Sequence, residues 1–233
     1  MTRPSKIEDL MKLIGEVGRE HIYRPIYDHE SNLLVEGTDP ARDELVSDFS
    51  KISFQGKSVL DLGCNFGFFS FLARRLGASR VLGVDNMPQI IEGCRLLTSI
   101  YGLSNIEFKV ADLERLKPGD EQFDIVLLFE YIGKASLKKN KFRTLLSTLA
   151  SFSRKKLLLV ITPIYIIQEE LETDPGELAR HYSDKYMTKE YFELYSYIKE
   201  HLAENWIMQP ISAIPQSYQK GKKLIQFLRR TTH

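Results

Sequence analysis

From residue 56 onward, short apolar runs alternate with segments whose apolar positions recur every three or four residues. The runs SVLDL (58–62), RVLGVD (80–85), NIEFKV (105–110), FDIVLLF (123–129) and KLLLVI (156–161) have the length and composition of buried strands. Between them, Ile90, Cys94, Leu97 and Tyr101 share one helical face, and Phe142, Leu145, Leu146 and Leu149 share another. Gly77 and Gly102 stand where the helices after the first two runs should stop. Alternation of this kind predicts βαβ units and a mostly parallel sheet. Two more strand-like pieces, 206–213 and 222–229, are joined by a turn containing Gly221 and close the chain.

The flanks of this core read differently. Ser5 with Glu8 three residues on predicts a capping box, and Ile7, Leu10, Met11, Ile14 and Val17 give the helix behind it one apolar face. An aromatic, irregular stretch follows over 21–37, and then a short helix with Asp39 as N-cap and Pro40 at its first position. Late in the chain a polar stretch precedes a helix capped by Thr188, with Tyr191, Tyr195, Ile198 and Leu202 as its buried stripe. The expected organisation is an N-terminal helical extension over 1–50 and one α/β domain over 51–233. Residues 163–187 are expected to be a lid over the substrate, by position alone.

Composition narrows the class. The 233 residues are 43% hydrophobic and 27% charged, typical of a soluble globular chain. No apolar run approaches the ~18 residues of a membrane helix, and the first twenty residues mix charges throughout, so no membrane partner is expected and the default compartment is the cytoplasm. Two cysteines, Cys64 and Cys94, are too few for a disulfide framework or a cysteine-rich zinc site and read as packing residues. The five histidines show no metal spacing. Net charge is +1, yet residues 131–168 and 205–233 contain 13 lysines and arginines and no acid. That asymmetry suggests an anionic partner, against the plainer alternative of solvated helix faces.

The chemistry concentrates in SVLDLGCNFGFF, where a strand runs into a glycine turn and then a helix. Such a turn lets backbone N–H groups approach a ligand, and the helix turns its positive end toward negative charge. Gly63 and Gly67 are spaced G-x-x-x-G, not as the G-x-G-x-x-G of dinucleotide sites, and Asp61 would repel a pyrophosphate. A carboxylate here suits a guest that carries a cation. Asp85, at the end of the second strand, is placed to accept from two ribose hydroxyls, and Asp112, past the third, from an adenine amino group. Each residue also has a plain structural reading. The glycines would serve close strand–helix packing, Asp85 would cap the next helix, Asp112 would begin an Asx turn, and Phe66, Phe68, Phe69 and Phe71 would be helix core.

With Asp61, Gly63, Asn65 and Gly67 in the register of a D/E-x-G-x-G-x-G motif, the run resembles the class I S-adenosylmethionine-dependent methyltransferases over roughly residues 57–162. Asn65 departs from the usual middle glycine. The resemblance implies a Rossmann-like, seven-stranded, mostly parallel sheet with helices on both faces and an antiparallel final strand. It implies S-adenosylmethionine as cofactor. Asp61 and the turn, with Gly63, Cys64, Asn65, Phe66 and Gly67, would hold its methionine end. Asp85 would take the ribose, Asn86 and Met87 one adenine face, and Ala111, Asp112 and Leu113 the adenine edge.

By the same resemblance the segment after the fourth strand, from Phe129 through Glu130 and Tyr131, faces the transferring methyl group, with Phe129 among the cofactor-binding residues. Glu130 is the candidate base or a holder of the cofactor's methionine part, and Tyr131 a border of the acceptor, with a passive wall as the alternative for both. An N/D-P-P-Y/F box and a Pro-Cys nucleophile are missing, and DNA is not an expected partner. The acceptor expected is an oxygen or nitrogen of RNA or of a small anionic metabolite. Segment 21–37 and the run FDIVLLFEYIGK resemble, in outline, wobble-uridine tRNA modification enzymes of the same superfamily. Two competing expectations are a catalytically inactive cofactor-binding scaffold, motivated by Asn65 and the missing boxes, and a nicotinamide-dependent oxidoreductase, which the glycine spacing disfavours.

Overall fold

The computed structural model describes residues 3–39, 43–113, 115–117, 121–129 and 134–231. Seven strands form one mostly parallel sheet with helices around it, and the chain divides into two compact units that meet at Leu116 and Lys117 in sequence.

The first unit opens with α1 (Arg3–Val17), followed by the small antiparallel pair β1 (Ile26–Tyr27) and β2 (Leu33–Val35), and then α2 (Asp43–Ser50). Its part of the sheet is β3 (Ser58–Leu62), α3 (Phe68–Arg75), β4 (Arg80–Asp85), α4 (Pro88–Tyr101) and β5 (Ile106–Val110). The three strands are parallel, with Asp61 opposite Gly83 and Asp85 opposite Val110. β3 and β4 are buried almost throughout, whereas β5 alternates buried Ile106 and Phe108 with exposed Glu107 and Lys109. That alternation and those charges suit the sheet edge it occupies. α1 lies on α4 and buries Leu10 and Ile14.

The second unit holds β6 (Phe123–Phe129), α5 (Lys134–Lys138), α6 (Lys141–Phe152) and β7 (Ser153–Ile161), with β6 parallel to β7. β8 (Ile164–Ile166), α7 (Ile167–Glu170) and α8 (Pro175–Ala179) come next, then β9 (Tyr191–Glu193) and α9 (Leu194–Leu202). β10 (Trp206–Pro210) and β11 (Lys223–Arg229) finish the sheet, whose order is β10-β11-β7-β6-β3-β4-β5. β11 is antiparallel to both its neighbours. Among the described residues no helix is long and apolar enough to cross a membrane.

Two local expectations are corrected. α1 begins at Arg3, so Ser5 lies inside the helix and is not its N-cap. Pro4 explains the earlier start, because in a first turn its missing N–H leaves no bond unmade. Thr188 does not cap α9 either. Its hydroxyl accepts from the N–H groups of Glu190 (3.2 Å) and Tyr191 (2.9 Å), closing a turn, and Tyr191 enters β9 against β8. The helix therefore starts at Leu194 and buries Leu194, Tyr197, Ile198 and Leu202. The expected cap Asp39 donates its N–H to the Tyr23 carbonyl at 2.9 Å, and Pro40 lies outside the described residues.

Segment 163–187 has packing of its own. Tyr182 is buried, its ring 4.7 Å from that of Phe192 and 5.0 Å from that of Tyr197, and its hydroxyl donates to the Leu137 carbonyl at 2.8 Å.

Candidate functional site

The chain leaves β3 by a sharp bend in which the N–H groups of Gly63 and Cys64 both donate to the Val84 carbonyl, at 2.8 and 3.0 Å. Gly63, Asn65 and Gly67 then adopt left-handed backbone angles, with φ of 73°, 48° and 77°. At Gly67 a side chain is barred twice. The angle disfavours it, and a Cβ would lie 2.9 Å from Phe71 and 3.0 Å from Phe108. Gly83 on β4 is needed for space alone, since its Cβ would fall 2.5 Å from the Phe108 ring. These glycines let the turn lie closely against β4 and β5, and α3 starts directly after Gly67.

Asp85 ties the turn together. Its Oδ2 accepts from the Asn65 N–H at 3.0 Å and its Oδ1 from the Met87 N–H at 3.1 Å. Each oxygen keeps a second lone pair, so the half-buried carboxylate can also accept from a vicinal pair of hydroxyls. The bond from Met87 comes from the N-cap residue of α4, which has no side-chain cap, so Asp85 is not the cap of that helix.

Asp61 sits lower, 2% exposed, and accepts from the Ser70 hydroxyl at 2.6 Å. Burial pushes its pKa up from 3.8 to about 6; the Ser70 hydrogen bonds oppose the rise and the Asp85 charge adds to it. Cys64 and Cys94 both donate to the Asn65 carbonyl, at 3.5 and 3.1 Å. Burial, then Cys94 and the two aspartates, push the Cys64 thiol well above its usual range, so it is a packing group and not a nucleophile.

The other expected residues spread outward. Phe66 is buried, and its ring faces Gly93 of α4, where a Cβ would come within 2.5 Å of it. Asn86 is exposed and Met87 half-buried at the entry to α4. Ala111 donates its N–H to the Asp85 carbonyl at 2.9 Å, which brings the end of β5 beside that of β4. Asp112 forms an ion pair with Arg115 at 3.3 Å, and Leu113 is buried. Phe129 ends β6 in the second unit and is buried, while Glu130 and Tyr131 lie outside the described residues.

Three participants carried too little signal to be found. Ser70 is one alcohol in an apolar helix, and Cys94 reads as core. The third is the His21 carbonyl, which accepts from the Asn65 side-chain amide at 2.8 Å across 44 residues of sequence.

The acid-free segments of the second unit are not acid-free in space. Arg154 and Lys155 reach Asp124 at 3.8 and 3.0 Å, and Lys134 pairs with Glu172, holding that carboxyl below its usual range. Arg229 and Arg230 donate to the carbonyls of Ser153 (2.9 Å) and Ala203 (3.1 Å). Much of the basic excess is therefore structural.

A family model described as a methyltransferase domain matches residues 53–220. Ribosomal protein L11 methyltransferase of Thermosipho africanus is 36% identical over 72 residues, which is 31% of this chain and 26% of that protein. The tRNA U34 carboxymethyltransferase of Desulfotalea psychrophila is 30% identical over 95 residues, 41% of this chain and 30% of that one. The chain spans less than half the length of the curated relatives it matches. Magnesium protoporphyrin IX methyltransferase of Synechocystis, crystallised with S-adenosylhomocysteine, shares the fold with a TM-score of 0.57 at 17% identity over 81% of each chain.

Proposed function

Because the chain belongs to the methyltransferase-domain family, we propose that it transfers the methyl group of S-adenosylmethionine to an oxygen or nitrogen of its acceptor, with the cofactor seated on the turn Gly63–Gly67. The observation that carries this reading is the Asp85 carboxylate, which bonds the N–H groups of both Asn65 and Met87 at the carboxyl end of β4. The residues present fit the cofactor. Asp85 retains lone pairs for two ribose hydroxyls, the turn has no side chain at Gly63 or Gly67 to fill the cradle, and Asp61 supplies negative charge beneath it.

When bound, the cofactor contributes an electrophilic methyl group on a positively charged sulfur. Asp85 fixes the nucleoside half, and Asp61 favours the cationic half by its field. Asp112 and Leu113 are assigned to the adenine edge, with Asn86 and Met87 against its face. The remaining tasks are to align the acceptor atom and to exclude water, which can supply much of the rate without covalent help. Phe129 is assigned to the cofactor, and Glu130 and Tyr131 to the acceptor side, with Glu130 taking the proton that the acceptor loses.

The acceptor is assigned to RNA or a small anionic metabolite. Lys220, Lys222 and Lys223, in the acid-free stretch after β10, support an anionic class. The test is transfer of labelled methyl from S-adenosylmethionine to a cell extract separated into RNA, protein and small molecules. Label in RNA or small molecules, abolished by Asp85→Ala, is the expected result. Label in protein would move the acceptor to that class, and no label in any fraction would contradict the activity.

A further inference from the structure

Asn65 occupies a backbone position that glycine would fill at lower cost. Its φ of 48° is left-handed, a region that asparagine tolerates better than most side chains but does not prefer to glycine. What asparagine adds is its amide, and that amide donates to the His21 carbonyl at 2.8 Å. His21 lies in a strap, residues 18–27, that leaves α1 at Gly18 and runs to β1. Ile22, Arg24 and Ile26 of the strap are buried, while Tyr23 is 46% exposed.

The strap is held at both ends. Upstream, the Gly18 N–H donates to the Ile14 carbonyl at 3.1 Å, and α1 lies on α4. Downstream, the N–H groups of Thr38 and Asp39 donate to the Ile22 and Tyr23 carbonyls at 2.8 and 2.9 Å, and the Tyr101 hydroxyl donates to the Tyr27 carbonyl at 2.8 Å. Gly37 allows this close return, since a Cβ there would lie 2.5 Å from the Tyr23 carbonyl oxygen. Between those anchors, Asn65 joins the strap to the turn. The same residue gives its backbone N–H to Asp85 and its carbonyl to two thiols.

We propose that Asn65 is a positioning residue that couples cofactor binding to closure of the N-terminal strap over the glycine turn. The inference rests on the cofactor reading above. A guest whose hydroxyls occupy the outer lone pairs of Asp85 fixes the carboxylate that orients the Asn65 peptide, and the Asn65 amide carries that order to His21. Because linkage is reciprocal, a closed strap raises cofactor affinity by the same factor by which cofactor stabilises the closed strap.

The test is Asn65→Gly, which removes the amide at a φ that glycine accepts without strain. It is read by calorimetry with S-adenosylhomocysteine and by hydrogen exchange of residues 18–27 with and without that ligand. In the wild type, the ligand should slow strap exchange. In N65G, strap exchange should be fast in both states and affinity should fall roughly three- to ten-fold, the worth of one net hydrogen bond.

Thr38→Val is the control for a merely structural role. It deletes the hydroxyl bond to the Ile22 carbonyl at 3.2 Å, leaves the Asn65 amide in place, and should keep the ligand-dependent protection. Wild-type affinity and wild-type protection in N65G would overturn the coupling and leave the cofactor site standing. A wild type that binds no S-adenosylhomocysteine would overturn both.

Discussion

Asp61→Asn should make the ligand-free protein more stable, although it alters a residue of the motif. Asp61 is 2% exposed, and its pKa is pushed from 3.8 to about 6. At about 1.4 kcal/mol per pH unit, ionising it in the folded chain costs about 3 kcal/mol more than in the unfolded chain. The sign follows from proton counting. Between these two pKa values the folded state holds the extra proton, so this contribution is fully present below about 3.8 and is lost as pH rises through about 6. Asparagine keeps the shape, still accepts from the Ser70 hydroxyl through its one oxygen and has no charge to bury, while the backbone bond from Ser70 that it shares or loses bounds the gain from above. At pH 7.5 the variant should therefore gain up to about 3 kcal/mol, or roughly 6–12 °C in Tm for a chain of this size. Near pH 4 the two proteins should melt nearly together. Thermal unfolding of both from pH 4 to pH 8 is the assay. A variant less stable at pH 7.5, or a difference that does not change with pH, would mean that the buried Asp61 charge does not destabilise the fold.

Gly83→Ala should cost about 1–3 kcal/mol in urea unfolding, because its Cβ would press 2.5 Å from the Phe108 ring, and Phe108→Leu in the same chain should recover part of the loss. Tyr101→Phe removes the hydroxyl that donates to the Tyr27 carbonyl. It should cost about 1 kcal/mol, with faster hydrogen exchange concentrated near β1.

The alternation of strands and helices was legible because period is local: β3, β4 and β6 occupy the residues that their apolar runs predict. β7 starts at Ser153, three residues before its apolar run, because the exposed Arg154 and Lys155 carry no strand signature. β9 was hidden inside a helical pattern, since its partner β8 lies some 25 residues earlier and no window joins them. At the turn, the residue types and spacing pointed to Gly63, Gly67 and Asp85 as a group. They did not show that Asp61 would be buried against Ser70, or that Asn65 would reach back to His21. Both contacts depend on how elements stack, and the second spans more of the chain than any local pattern covers.

The seating of a nucleoside cofactor by the turn and its carboxylates is open to a direct measurement. Titration calorimetry with S-adenosylhomocysteine on the wild type and on Asp85→Ala tests it most directly, with urea unfolding alongside to show that the variant is folded. One site per wild-type chain is expected, and no measurable heat from a variant that still unfolds cooperatively. No heat from the wild type, or equal binding by both proteins, would contradict it.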